Sequence, residues 1–207
     1  MTGLIGKIRE LTQFPFGRRR LNYQSYVLDG AVVKGARDTL YRFGQMRIPE
    51  DLSGRSVLDL GCNLGEFCFE CWRRGAREIV GIDNRAEYLD CARMLAAENG
   101  HCRIDFIHAD LGFPNDIFDI TNEYFGKRIS IVFALSIYKH IGDVLWDILG
   151  VTGWETCYVE SSRAKDGFES RNAKRMEKAF ELVSGKFDRL AITTDRSTRC
   201  VWRLHGR

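Results

Sequence analysis

The residues with the clearest chemical potential lie in segment 57–65, which reads Val-Leu-Asp-Leu-Gly-Cys-Asn-Leu-Gly. Asp59 stands in a short apolar run that ends at Gly61, and Gly65 follows one turn further on. Glycines at such a turn allow backbone N–H groups and the start of a helix to approach a ligand, because no Cβ blocks the way. Segment 57–65 therefore predicts a ligand-binding turn between a buried strand and a helix.

A second acidic position follows at Asp83, which ends another short apolar run and precedes Asn84. A carboxylate at this place can accept hydrogen bonds from both hydroxyl groups of a ribose. The dinucleotide-binding pattern requires glycine where this chain has Asn63, and again where it has Glu66. A negative charge on Glu66, at the start of the predicted helix, would repel a pyrophosphate. The turn is therefore expected to bind a nucleoside whose other end is not a pyrophosphate.

From residue 56 onward, short apolar runs alternate with runs of helical periodicity. Such alternation predicts βαβ units and a parallel sheet covered on both faces. Strands are expected at 56–60, 78–82, 103–108, 129–135, 156–160, 187–193 and 198–204, and helices at 66–74, 86–98, 141–149 and 171–183. The last two strands have no helix between them, so a hairpin would make one of them antiparallel.

The expected fold is therefore α/β: a Rossmann-like, doubly wound sheet of seven strands, six parallel and one antiparallel. Residues 1–54 are less regular, and we expect them to form an N-terminal helical lid or substrate segment, with helices near 4–11 and 37–46. Residues 55–207 are expected to form the main domain.

Four segments at the ends of the predicted strands resemble the motifs of the class I S-adenosylmethionine-dependent methyltransferases. Segment 59–65 is similar to their first motif, with Asn63 in place of the middle glycine, and Asp83 is similar to the acid that ends their second strand. Segments 109–111 and 133–136 are similar to their third and fourth motifs. The resemblance implies that the main domain is a methyltransferase domain and that its cofactor is S-adenosyl-L-methionine.

The resemblance also implies roles for the motif residues. Asp83 would bind the ribose, Asp110 the adenine amine, and the backbone N–H of Leu111 an adenine nitrogen. Asp59 either binds the cofactor or braces the glycine turn near the methionine amine, and bracing is the preferred interpretation. The alternatives are a helix N-cap for Asp83 and a turn residue for Asp110. The candidate cofactor contacts are Asp59, Gly61, Asn63, Gly65, Asp83, Asn84, Asp110, Leu111 and Leu135.

The segment before the first main strand is similar to small methyltransferases related to the wobble-uridine tRNA carboxymethylating and methylating group. The similar residues are 23–26, 28–30, 34–35 and 52–54. In that group the corresponding segment folds over the cofactor. The resemblance therefore implies that Lys34 or Arg37 meets the methionine carboxylate or an anionic substrate.

Two residues at the carboxyl edge of the predicted sheet are candidate bases. His140 follows the fourth strand, where a histidine could take a proton from a hydroxyl acceptor as the methyl group arrives. The alternative is a partly exposed residue at a helix start, with Tyr138 and Lys139 shaping the acceptor pocket instead. Glu160 ends the fifth strand and is a second candidate base or acceptor anchor. The fourth motif lacks the Asn/Asp-Pro-Pro-Tyr pattern, which argues against amino groups on bases as acceptors.

The charge of the chain is unevenly distributed. The net charge is +3, but residues 1–55 carry +5, residues 56–160 carry −8 and residues 161–207 carry +6. Basic ends indicate an anionic partner or merely solvated helix faces. We therefore keep three hypotheses: methyl transfer to an oxygen or nitrogen of a small, perhaps anionic, metabolite; an RNA (tRNA) methyltransferase that uses Arg18–Arg20; and a non-catalytic cofactor-binding subunit.

The remaining composition bears on compartment and metal content. The chain has no run of eighteen apolar residues and no apolar stretch typical of a secretory signal. Its seven cysteines are an odd number without framework spacing, which favours free thiols and a cytoplasmic location. Cys68 and Cys71 form the single C-x-x-C pair and are expected to pack in the core, so no metal site and no membrane partner are predicted.

Overall fold

The N-terminal segment is a mixed α/β segment. The computed structural model describes residues 2–16, 19–28, 31–100, 103–126, 128–161, 169–193 and 199–207. Within these, both expected N-terminal helices are present, but five short strands lie between them. The elements are α1 (Thr2–Thr12), β1 (Gln13–Phe16), β2 (Arg19–Gln24), β3 (Tyr26–Leu28), β4 (Ala31–Val33), β5 (Gly35–Arg37) and α2 (Thr39–Gln45).

The strands of this segment correct the expectation of a purely helical lid. β1, β2 and β5 form a three-stranded sheet, and β3 pairs with β4. Aromatic and β-branched residues, such as Tyr26, Val27, Val32 and Val33, favour extended backbone and explain the β3–β4 pair.

Seven further strands form the central sheet in the described part of the chain. They are β6 (Ser56–Leu60), β7 (Glu78–Asp83), β8 (Ile104–His108), β9 (Ile129–Leu135), β10 (Trp154–Glu160), β11 (Lys186–Thr193) and β12 (Arg199–His205). Their order across the sheet is β11-β12-β10-β9-β6-β7-β8. β12 runs antiparallel to both β10 and β11, whereas the other neighbouring pairs are parallel. The prediction of six parallel strands and one antiparallel strand is confirmed.

In the described ranges, six helices lie between these strands. They are α3 (Glu66–Arg73), α4 (Ala86–Glu98), α5 (Pro114–Phe125), α6 (Tyr138–Ile141), α7 (Val144–Val151) and α8 (Glu169–Val183). α5 is absent from the helices expected above. It begins at Pro114, whose missing N–H costs nothing in a first turn, and it buries Ile117, Thr121 and Phe125 on one face.

Alternate side chains of the central strands enter two apolar clusters on opposite faces of the sheet. Val57 packs with residues of α1, α2, α3 and α4, whereas its neighbour Leu58 packs with residues of α5, α7 and α8. This period of two follows from the β pleat. Because both faces are covered, a ligand can reach the strands only at their ends, and the carboxyl ends of β6 to β10 meet at one edge.

The turn after β6 tolerates no side chain at Gly65. Gly65 has a φ of +79°, and a Cβ there would lie 2.6 Å from two ring atoms of Phe106. That ring also packs edge-on against Phe69 with centroids 5.9 Å apart. We therefore expect Gly65→Ala to lower the free energy of unfolding by about 2–4 kcal/mol, as measured by chemical denaturation.

Gly44→Ala in α2 is the matched control. No atom lies within 4 Å of the position of its Cβ, and alanine favours a helix more than glycine does. The two variants should therefore differ in sign or at least clearly in size. Equal losses of stability would contradict the steric account of Gly65.

Candidate functional site

A cleft of about 690 Å³ lies at the carboxyl edge of the sheet, beneath two side chains of the N-terminal segment. This volume is in the range of small-molecule and cofactor sites. All the motif residues named as cofactor contacts, except Gly65, line it. Its lining consists of Gln24, Arg42, Asp59, Gly61, Cys62, Asn63, Phe67, Asp83, Asn84, Arg85, Tyr88, Asp110, Leu111, Leu135, Ser136, Ile137, Lys139, His140 and Ile141.

The glycine turn has three residues in the left-handed backbone region. Gly61, Asn63 and Gly65 have φ values of +76°, +54° and +79°. Asparagine is among the few non-glycine residues that adopt this region readily, which explains why Asn63 can replace the middle glycine of the motif. The backbone N–H groups of Gly61 and Cys62 both donate to the carbonyl oxygen of Ile82, at 2.8 and 2.9 Å. These bonds fix the turn against the end of β7.

Asp83 is held by the backbone on both sides. Its Oδ2 accepts a hydrogen bond from the N–H of Asn63 at 2.9 Å, and its Oδ1 accepts one from the N–H of Arg85 at 3.0 Å. Arg85 precedes α4, so the second bond orders the β7–α4 loop. The side chain is 9% exposed, and burial raises its pKa while the two N–H groups act against that rise. The carboxylate is thus oriented in the cleft before any ligand arrives.

Asp59 is more deeply buried than Asp83 and stands in β6, just before the glycine turn. It is 4% exposed and contacts the Cys68 thiol, with Sγ 3.8 Å from Oδ2. Burial raises the pKa of Asp59 to about 7 although the Arg42 guanidinium opposes it, and the Asp83 charge adds to the rise. Asp59 can therefore change its charge near neutral pH when a cation binds beside it.

The β8 end of the cleft carries Asp110 and Leu111. Oδ1 of Asp110 accepts a hydrogen bond from the N–H of Gly112 at 2.8 Å, which is the turn geometry considered above as the alternative role. Asp110 is exposed and lines the cleft at the same time, while Leu111 is buried there. The turn and a contact with a ligand are compatible, because only one carboxylate oxygen makes this bond.

His140 stands at the opposite end of the cleft, after β9. It is exposed, and partial burial together with the charge of Lys139 lowers its pKa. The neutral imidazole that can accept a proton is therefore the main form at neutral pH. Tyr138 is buried away from the cleft lining, where its hydroxyl donates to Asp143 at 2.7 Å.

Glu160 does not fit the role of a general base. It is fully buried, and its carboxylate receives Arg37 Nη2 at 2.6 Å and Arg42 Nη2 at 3.0 Å. Burial alone would raise the pKa of Glu160, but Arg42, Arg37 and Arg199 together lower it to about 2. Such a carboxylate has little affinity for a proton, and no acceptor can reach it.

Lys34 and Arg37, the two cations expected to meet the ligand from the N-terminal segment, do not line the cleft. Lys34 is exposed and does not line the cleft, and Arg37 is buried in its ion pair with Glu160. Arg42 lines the cleft instead, with its guanidinium 4.7 Å from the centroid of the Phe67 ring. Arg42 was missed because nothing in the sequence of α2 distinguishes a buried arginine from an exposed one.

The expectation that a negatively charged Glu66 would repel a pyrophosphate is wrong. Its side chain is buried, its carboxyl group accepts a hydrogen bond from the backbone N–H of Val27, and burial raises its pKa to about 8. Glu66 is therefore mostly uncharged at neutral pH and cannot repel an anion strongly. It connects the start of α3 to β3 of the N-terminal segment.

Cys68 and Cys71 pack in the core, as expected. Among the described residues, no group of three or more His, Cys, Asp or Glu side chains could hold a metal ion. Within the same ranges, no helix has both the length and the apolar character needed to cross a membrane. His101 and Arg18 lie outside the described residues.

Comparison with known sequences gives a domain match for the central part of the chain. Residues 57–135 match the model of a methyltransferase domain. The ubiquinone biosynthesis O-methyltransferase of Bradyrhizobium sp. (strain ORS 278) is 35% identical over 93 residues, which are 45% of this chain and 32% of that protein. The magnesium-protoporphyrin O-methyltransferase of Rhodobacter capsulatus is 32% identical over 82 residues, which are 40% of this chain and 36% of that protein. The matches thus span about a third of the length of these relatives.

A solved structure agrees with the fold. The N-terminal domain of EvdMO1, determined in the presence of SAH and D-fucose, matches with a TM-score of 0.63 and 14% identity, over 88% of this chain and 90% of that one. At this identity the likeness concerns the fold alone. The finer likeness to the wobble-uridine group stays a prediction. The sheet order and the cleft at its carboxyl edge agree with the match of residues 57–135 to a methyltransferase domain.

Proposed function

We propose that this protein transfers the methyl group of S-adenosyl-L-methionine to an oxygen or nitrogen nucleophile of a small molecule. The observation that carries the proposal is Asp83, oriented in the cleft by the backbone N–H groups of Asn63 and Arg85. A carboxylate fixed in this way can receive two ribose hydroxyls without reorganising. The small-molecule O-methyltransferases among the matched relatives support an acceptor of that class.

The strand order suggests how the cofactor lies. Across the edge, β8, β7, β6 and β9 follow one another. Adenine would lie beside Asp110 and Leu111 at β8, the ribose on Asp83 at β7, and the methionine part over the glycine turn at β6. The reacting end would then face Leu135 at β9. The cleft also holds buried polar atoms without a hydrogen-bond partner among the described residues, Oδ1 of Asn63 and Oε1 of Gln24, which a polar ligand would satisfy.

Arg42 and Asp59 are complementary to an amino acid. Arg42 would receive the methionine carboxylate, and the ionised form of Asp59 would lie near the amine. Arg42 would thereby take the role that the family resemblance implied for Lys34 or Arg37. Its Nε is buried without a hydrogen-bond partner among the described residues, so an additional acceptor at this place would be favourable.

The chemistry requires positioning more than acid or base strength. When bound, the cofactor supplies a methyl group that its sulfonium charge makes electrophilic. The residues of the chain hold the donor in line with the acceptor and exclude water, which lowers the entropic part of the barrier. Gln24 and Arg42 cover the cleft from the N-terminal side. His140 would accept the proton of a hydroxyl acceptor at the opposite end.

His140→Ala is expected to lower turnover about a hundredfold with a hydroxyl acceptor, in line with the usual contribution of a general base. Affinity for S-adenosylhomocysteine should stay within a factor of two, because His140 follows β9, at the end of the cleft away from the proposed adenosine position at β7 and β8. Steady-state kinetics and calorimetry measure the two quantities. Full activity of the variant would show that His140 is only an exposed residue of α6.

Incubation with methyl-labelled cofactor tests the function as a whole. The purified chain is mixed separately with the small-metabolite and the RNA fractions of the source cell, with Asp83→Ala as the inactive control. Label in small molecules is the expected result. Label in RNA would favour the alternative that rests on the basic run 18–20, of which Arg19 and Arg20 lie in β2. Binding of S-adenosylhomocysteine without label in either fraction would favour a non-catalytic subunit.

A further inference from the structure

Glu160 is the meeting point of three arginines from separate parts of the chain. Arg37 ends β5, Arg42 lies in α2, and Arg199 begins β12. Their guanidinium nitrogens lie 2.6, 3.0 and 3.7 Å from the two carboxylate oxygens. The hydroxyl of Ser136 also donates to Glu160 and receives Arg199. One carboxylate therefore joins the N-terminal segment, the loop after β9 and the last strand.

The geometry fixes the guanidinium of Arg42 in two ways. Its Nη2 is bound to Oε2 of Glu160, and its central carbon lies over the ring of Phe67, 4.7 Å from the ring centroid. Arg42 is only 2% exposed, yet it lines the cleft, so its orientation decides which of its N–H groups a ligand meets. An arginine forms strong paired hydrogen bonds with a carboxylate only when its planar fork is correctly aimed.

We propose that Glu160 is a positioning residue that aims Arg42 at the carboxylate of the ligand in the cleft. It acts through Arg42 and never touches the ligand itself, because it is fully enclosed. The inference rests on the proposed function, in which that carboxylate belongs to the methionine part of the cofactor. It gives Glu160 a defined task in place of the base role expected from its position at the end of β10.

Calorimetry with two probes tests this inference. S-adenosylhomocysteine carries the carboxylate, whereas 5′-methylthioadenosine has the same adenosine and lacks the amino acid part. We expect Glu160→Gln to weaken binding of S-adenosylhomocysteine about ten- to hundredfold and to change binding of 5′-methylthioadenosine less than twofold. Glu155→Gln is the matched control, because Glu155 lies on the same strand and makes only a half-exposed ion pair with Arg55.

Glu160→Asp tests whether the position of the carboxylate matters, or only its charge. It also replaces Glu160→Gln as the test variant if that protein does not fold. The aspartate keeps the negative charge but withdraws the carboxylate by one methylene. Aiming predicts a selective loss of S-adenosylhomocysteine affinity in this variant as well, and an Arg42→Gln substitution added to it should cause little further loss.

Equal weakening of both probes, or no weakening of either, would overturn the inference. Each of these outcomes leaves the proposed function intact as long as the unaltered protein binds S-adenosylhomocysteine. Failure of the unaltered protein to bind S-adenosylhomocysteine would instead contradict the proposed function.

Discussion

Asp83→Ala should weaken binding of S-adenosylhomocysteine about a hundredfold, which corresponds to about 3 kcal/mol. The substitution removes the acceptor of two ribose hydroxyls, and a hydrogen bond to a charged group contributes about 1.5–3 kcal/mol. It also releases the N–H groups of Asn63 and Arg85, which loosens the glycine turn and the β7–α4 loop together. Isothermal titration calorimetry at pH 8 measures the effect.

Asp90→Ala is the matched control for this prediction. Asp90 is an exposed acid of α4, and it makes only an exposed ion pair with Arg93. It changes the net charge by the same amount and should leave affinity unchanged. An Asp83→Ala protein that binds as tightly as the control would disprove the ribose assignment and with it the orientation of the cofactor along the edge.

The affinity for S-adenosylhomocysteine should also depend on pH through Asp59. Burial raises the pKa of Asp59 to about 7, so below that pH the side chain is mostly protonated. The methionine amine is a cation and would favour the ionised form, so binding should release a proton from Asp59. Affinity for S-adenosylhomocysteine is therefore expected to rise up to tenfold per pH unit below about pH 7 and to level off above pH 8.

Asp59→Asn should abolish this dependence. His140 also lines the cleft, and burial and Lys139 lower its pKa, so His140→Ala is the control that should keep the slope. Calorimetry in buffers with different ionisation enthalpies would detect the released proton directly. An affinity that is flat between pH 6 and 8 in the unaltered protein would mean that Asp59 only braces the glycine turn.

Sequence patterns predicted most of the fold because those patterns are local. Short apolar runs separated by helical periodicity identify buried parallel strands, and all seven central strands lie where such runs occur. The patterns did not reveal α5 or the strands of the N-terminal segment. In both regions weak local preferences are completed by packing, as when Val27 donates its N–H to the buried Glu66.

In the candidate site, too, some residues could be recognised from the sequence and others could not. The glycine turn and Asp83 could be recognised from the sequence, since a left-handed turn after a strand and an acid after the next strand are set by neighbouring residues. The sequence could not show which basic residue of the N-terminal segment reaches the cleft. Lys34, Arg37 and Arg42 look alike in the sequence. Arg37 and Arg42 are equally buried in the structure, and only the folded chain shows that Arg42 lines the cleft whereas Arg37 does not.

The sequence by itself determined the doubly wound sheet, its single antiparallel strand and the acids that line its carboxyl edge. The tertiary structure decided which acidic side chains are ion-paired and which have a raised pKa. Glu160 meets Arg37 and Arg42 across 123 and 118 residues of chain, which makes an expected base an ion-paired anchor. Glu66 and Asp59 acquire raised pKa values because distant elements exclude water from them. Solvent exclusion and long-range ion pairs arise only when the chain is folded, because both depend on distances that the order of residues does not contain.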